Sequence, residues 1–158
     1  MPAPRDASSP FRWPPVIYGT AAVVAGVLSW FTPWRFEIVE LRMFLMVTGT
    51  LLVVASLILV SLAAVRFKAA GTAVHPTEPT TAIVSSGIYR YTRNPMYLGM
   101  SLGLAGLGLA LDQLWFLIAM PLAMLAVTKL AIEREEAYLA QKFGVEYLGY
   151  KARVRRWV

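Results

Sequence analysis

Between Gly87 and Gly99 the chain reads Gly-Ile-Tyr-Arg-Tyr-Thr-Arg-Asn-Pro-Met-Tyr-Leu-Gly, setting arginines, tyrosines and an Asn-Pro step at the mouth of an apolar stretch. Ring and guanidinium planes at a membrane boundary can grip a charged soluble molecule while an apolar one arrives from the lipid. Asn94 stands where a helix N-cap belongs and Pro95 at the first helical position, so a helix should begin here with unpaired amides facing out, an arrangement that attracts anions. A second constellation follows at Glu133-Arg134-Glu135-Glu136. At 100° per residue Ile132, Leu139 and Phe143 share one helix face; Glu136 lies among them and Glu135 nearer the edge. A carboxylate on an apolar stripe needs a partner. It marks a functional site, or it forms a salt bridge to an arginine such as Arg93.

Other chemistries find little footing. There is no cysteine, which removes disulfides, thiolate nucleophiles and cysteine metal sites, and the one histidine, His75, sits before a proline with only Glu78 nearby. No histidine is placed as base to a serine, no nucleophile-elbow turn is expected, and phosphate-cradling loops and dinucleotide fingerprints are absent. What remains is a helix end, aromatic rings, an arginine and carboxylates around one opening. That set suits an amphipathic cofactor carrying an adenine, ribose hydroxyls and an amino-acid end. Transfer from a sulfonium needs little acid-base machinery, because in-line positioning of donor and acceptor supplies much of the rate.

The elements that must hold these residues belong to a membrane protein. Of 158 residues 58% are hydrophobic and 15% charged, with mean hydropathy +0.58. Four apolar stretches, 15–31, 43–65, 96–111 and 114–132, predict an all-α bundle of about four transmembrane helices. The last two are short and read as a tight hairpin broken at Asp112-Gln113. Small residues, Gly19 and Gly26 in the first stretch, Thr48, Gly49, Thr50, Ser56 and Ser61 in the second, Gly99, Gly103 and Gly106 in the third, suit close helix contacts, or in the third a flat ligand. A cleaved signal peptide is disfavoured for the first stretch, because Phe31-Thr32-Pro33-Trp34 resembles an interface anchor. Residues 1–14 read as a tail and 15–158 as one domain.

Lysine and arginine gather on one side, at Arg5, Arg12, Arg66, Lys68, Arg90, Arg93 and from Lys129 onward, which predicts cytoplasmic termini and a cytoplasmic site. The net charge of +6 then suits anionic lipid headgroups better than nucleic acid, and membrane lipids are the expected surroundings. From Arg66 to Ser86, prolines and glycine break the helix into a loop, with Thr80 to Val84 as a short extended piece whose backbone could meet a ligand or merely connect. Gly144 should end the helix that carries the glutamates. Residues 145–158 then read as a basic, aromatic interfacial segment.

Val84-x-x-Gly87-x-Tyr89-x-x-x-Arg93-Asn94-Pro95-x-Tyr97-x-Gly99, followed by Glu135-Glu136-x-x-Leu139-x-x-x-Phe143-Gly144-x-x-Tyr147-x-x-Tyr150, resembles the isoprenylcysteine carboxyl methyltransferase and phospholipid methyltransferase superfamily. The resemblance covers about 80–155, and its members are multi-span membrane enzymes that use S-adenosyl-L-methionine. It implies cofactor contacts from Thr81, Ala82, Ile83, Val84, Tyr89, Asn94, Pro95, Met96, Tyr97 and Glu135. It also implies that Arg93 braces the site and that Glu136 orients it or faces the acceptor, which makes these two the catalytic candidates. Two departures bear on the reaction. The usual Arg-His-Pro is Arg93-Asn94-Pro95 here, and asparagine donates hydrogen bonds but carries neither charge nor a proton. Where the carboxyl methyltransferases place an arginine four residues before the paired glutamates, this chain has Ala131. The acceptor is left open among a phospholipid amine, another lipid, and a small thiol or amine. Two other readings stand beside this one: a reductase of related architecture using NADPH, and a non-catalytic lipid-binding membrane protein. Oligomeric state is not legible.

Overall fold

The computed structural model describes residues 14–37, 39–71 and 81–158, and they form helices joined by short links, with no strand among them. His75, Glu78 and Thr80 lie outside these residues, as does the tail up to Trp13. Four apolar helices make the bundle: α1 (Pro14–Phe31), α2 (Arg42–Ala69), α3 (Pro95–Ala110) and α4 (Leu114–Val127). A π-helical turn (Thr128–Ile132) joins α4 to α5 (Glu133–Phe143), and α6 (Val145–Arg153) follows. Among the described residues three helical rods are long and apolar enough to cross a membrane, and α3 is shorter. The rod from Leu114 to Phe143 has 30 residues. At about 1.5 Å per residue it runs roughly 45 Å, beyond the ~30 Å of a hydrocarbon core, so its polar part, α5, projects past the span.

α3 is the centre of the bundle, with α2 on one side and α4 and α1 on the other. Gly99, Gly103 and Gly106 of α3 face α2. A Cβ added at Gly106 would lie 2.8 Å from both the Gly49 carbonyl oxygen and the Val53 nitrogen, and one at Gly103 would meet Ser56 Oγ at 2.9 Å. This face holds a helix, so of the two uses open to it packing is the one found. On the other side Tyr18, Ala25, Leu104, Phe116, Ala123, Val127, Ala131 and Ile132 make the core, and the Tyr18 hydroxyl meets Ser101 Oγ at 2.7 Å. Outward, α2 exposes Leu51, Leu57 and Leu62 and α4 exposes Leu122 and Leu125, each by more than half. Lipid is the solvent for such faces.

The hairpin breaks where the sequence places it. Asp112 adopts a left-handed backbone, φ +56°, and its carboxylate accepts the Phe36 N–H at 3.0 Å and faces Arg42 at 3.4 Å. Trp115 Nε1–H donates to the Thr32 carbonyl at 2.8 Å, and the Trp34 and Trp115 rings meet edge to face at 5.6 Å. The link from α1 to α2 is thereby tied to the hairpin. At the opposite end Gly144, φ +51°, turns the chain from α5 into α6.

Two local readings change. Thr81 to Val84 is irregular, not a strand, with the Thr81 hydroxyl donating to the Gly71 carbonyl at 3.1 Å. The last segment does more than rest on headgroups: Tyr147 and Tyr150, one helical turn apart, are buried, Tyr150 donating to the Tyr89 carbonyl at 2.8 Å and Tyr147 accepting from Arg93 at 3.4 Å, while Arg153 stays exposed.

The glycine contacts carry a prediction. Gly106→Ala forces a methyl into two backbone groups of α2 and should cost about 1–3 kcal/mol. Gly19→Ala, where no atom lies within 4 Å, should leave stability unchanged or slightly higher. Unfolding titrations in detergent micelles would compare the two.

Candidate active site

Two helix starts meet below the bundle. The Tyr97 hydroxyl, in the first turn of α3, donates to Glu135 Oε1, in the first turn of α5, at 3.1 Å across a separation of 38 residues. The helix phase that allows this is set by the π-helical turn, whose wider coil accommodates an extra residue and rotates the downstream helix α5 by roughly 100°. Burial pushes the Glu135 carboxyl above its ordinary range; the Tyr97 hydrogen bond pulls it back, and the neighbouring Glu136 charge raises it further. Tyr89 is buried in the 3₁₀ turn Gly87–Arg90, its ring 5.3 Å from that of Phe67. Its hydroxyl is pushed well up, first by burial, then by the fields of Tyr150 and Glu135. Tyr150 donates to the Tyr89 carbonyl at 2.8 Å, and burial raises its own hydroxyl to about 12.

Glu136, only 7% exposed, is the hub of an ion cluster. Arg156 grips it through Nε at 2.9 Å and Nη2 at 3.0 Å, Arg93 Nη1 lies at 3.0 Å and Lys151 Nζ at 3.2 Å. Burial pushes this carboxyl up, but hydrogen bonds from Arg156 and Lys151 and the Arg93 charge more than offset it, holding it below the ordinary range. The salt bridge to Arg93 is present, and Arg93 Nη1 also approaches the Tyr147 hydroxyl at 3.4 Å. Its buried Nε–H has no hydrogen-bond partner among the described residues.

Asn94 precedes α3 but makes no side-chain cap; its Nδ2 donates to the Arg156 carbonyl at 3.0 Å. Pro95 is buried at the first helical position, and Val84, Tyr89 and Met96 share a small apolar cluster with Ala63. Ala82 and Ile83 are half-buried and Thr81 is exposed, all on the approach to that cluster. The structure thus brings Tyr89, Tyr97 and Glu135 together, and Arg93 with Glu136. Three partners escaped the sequence reading, Tyr147, Lys151 and Arg156, because a basic aromatic tail carries no sign of which cation turns inward. One pattern was also passed over: Gly99-Met100-Ser101-Leu102-Gly103 spells a nucleophile elbow. It lies within α3, where Ser101 Oγ donates to the Tyr97 carbonyl at 2.9 Å, so no strained turn presents it.

A family model described as phospholipid methyltransferase matches residues 44–146. The chain belongs to the phospholipid methyltransferase family. The span recognised contains Tyr89, Arg93, Tyr97, Glu135 and Glu136 and stops before Tyr147, Lys151 and Arg156. An uncharacterized protein of Haemophilus influenzae is 40% identical over 63 residues, which are 40% of this chain and 100% of that protein. No solved structure matches. Membership in the phospholipid methyltransferase family points to methyl transfer at a membrane.

The two glutamates should respond oppositely to substitution. Glu136→Ala leaves buried Arg93 without its anion and should destabilise by about 3–5 kcal/mol. Because its folded-state carboxyl is depressed, the Glu136 contribution is present above the ordinary value of 4.5 and lost as pH falls through the lower folded value. Glu135 has the reverse sign: its raised carboxyl costs stability in full above the folded value, and that cost fades as pH falls toward 4.5. Glu135→Gln should therefore raise the melting temperature at neutral pH and flatten this dependence, as thermal unfolding at several pH values would record.

Proposed function

We propose that this protein is an S-adenosyl-L-methionine-dependent methyltransferase acting on a lipophilic acceptor, with its site at the cytoplasmic face. The contact between Tyr97 and Glu135 carries the reading: a half-buried carboxylate and a phenol from distant helix starts, with buried Tyr89 behind them, at the end of a bundle of this family.

The groups present fit such a donor. Glu135, under-neutralised and bonded to a phenol, is an acceptor for ribose hydroxyls or an ammonium. Tyr89 and Tyr97 offer ring faces to a cation. The unpartnered Nε–H of Arg93 is a charged donor for a carboxylate. The bound cofactor supplies an electrophilic methyl group on a sulfonium with a neutral leaving thioether. The chain's own part is positioning and exclusion of water, and Asn94 in place of histidine leaves that step without an imidazole base. The exposed apolar flanks Leu62 and Val65 of α2 and Leu122 and Leu125 of α4 suit an acceptor that arrives from the bilayer. We read the same basic surroundings, Lys151 and Arg155, as a seat for anionic headgroups.

Titration calorimetry of detergent-solubilised protein with S-adenosylhomocysteine should show binding, with no response to NADPH. Glu135→Ala should weaken it by about 10- to 100-fold, the worth of a charged hydrogen bond. Labelled methyl groups should pass from the donor into a total lipid extract. A response to NADPH alone would favour the reductase reading, and silence toward both nucleotides would favour a lipid-binding protein.

A further inference from the structure

The family match ends at residue 146, yet the structure reaches past it to hold the site together. Arg156 touches both halves. Its carbonyl oxygen accepts from Thr92 Oγ1 at 3.2 Å and Asn94 Nδ2 at 3.0 Å, the residues that lead into α3. Its guanidinium grips both oxygens of Glu136 in the first turn of α5 and stands 3.9 Å from Glu133. On either side the grip continues, for Arg93 N–H donates to the Arg155 carbonyl at 3.0 Å and Trp157 packs against the bundle core. Thr92 and Asn94 lie just before Tyr97, and Glu136 follows Glu135 directly. The two elements pinned by Arg156 are the two that must meet.

We infer that Arg156 is a positioning residue, a clasp whose backbone holds the start of α3 and whose side chain holds the start of α5, fixing the separation of Tyr97 and Glu135 and so the affinity for the methyl donor. It rests on the donor reading of that site. A bidentate guanidinium suits this task because it fixes direction as well as charge, and a lysine ammonium does not. The clasp is supported on one side by the hydrogen bond to the Arg155 carbonyl and on the other by half-buried Trp157, so it is over-determined in the way a positioning element must be.

The test uses the full chain in detergent, with Arg156→Gln, Arg156→Lys and, as control, Arg153→Gln, whose Nε serves only the Gly149 carbonyl at 3.1 Å on the exposed side of α6. Hydrogen–deuterium exchange without ligand should quicken in Arg156→Gln over residues 89–99 and 133–140 and stay unchanged in α1 and α2. Affinity for S-adenosylhomocysteine should fall about tenfold. Arg156→Lys should recover part of both, and Arg153→Gln should match wild type. Should Arg156→Gln fail to fold, the lysine variant decides: intermediate exchange and affinity support the clasp, and wild-type values in both overturn it. If wild-type protein binds no S-adenosylhomocysteine, the donor reading fails and exchange alone decides the clasp, faster exchange in both segments supporting it and unchanged exchange overturning it.

Discussion

A carboxylate buried at the mouth of an apolar bundle has to be neutralised, and the neutralisation of Glu136 shapes everything at this end of the bundle. Arg93 comes from the approach to α3, Lys151 from α6 and Arg156 from the last residues, so one anion gathers three separate segments. Ion pairs in such surroundings gain stability only when the geometry satisfies the donors, and the bidentate Arg156 contact does so. Its neighbour Glu135 shares none of these three cations and is bonded to the Tyr97 phenol instead. The two adjacent carboxylates have been driven apart, one depressed by hydrogen bonds and charges that outweigh its burial and one raised by burial, a division that leaves Glu135 with unmet electrostatic need.

The bundle above serves that arrangement by being rigid where helices touch and apolar where they do not. Close backbone approach between Gly49 and Gly106 locks α3 against α2, while Tyr18 and Ser101 fasten α1 to α3. With α3 fixed along its length, the position of Tyr97 is set from above, and the π-helical turn sets the phase of α5 from the other side. The methyl transfer we propose joins an apolar acceptor to a water-soluble donor, which have no common solvent, and the end of a lipid-facing bundle is where such a pair would meet.

Much of this was legible in the residues. Apolar runs bounded by Asp112-Gln113 and Asn94-Pro95 marked the helices because hydrophobic length and proline placement are local signals. The stripe of Ile132, Glu136, Leu139 and Phe143 identified the inward carboxylate for the same reason. The π-helical turn left no trace in the spacing, and Asn94 was read as a cap when its amide is drawn to the tail instead. Which of the clustered cations at 151–156 would turn inward was equally hidden. That choice depends on where α6 lands, a consequence of the positive φ at Gly144 and of tyrosine burial and not of any periodicity in the segment.

The central claim is that a sulfonium donor binds against the hydrogen-bonded pair of Tyr97 and Glu135. Ultraviolet cross-linking of labelled S-adenosyl-L-methionine to the detergent-solubilised protein, followed by peptide mapping, tests it directly. The account predicts adducts confined to 81–99 and 133–143 and competed away by S-adenosylhomocysteine. Label found at the hairpin end, near Trp34 or Trp115, or spread without competition, would contradict it.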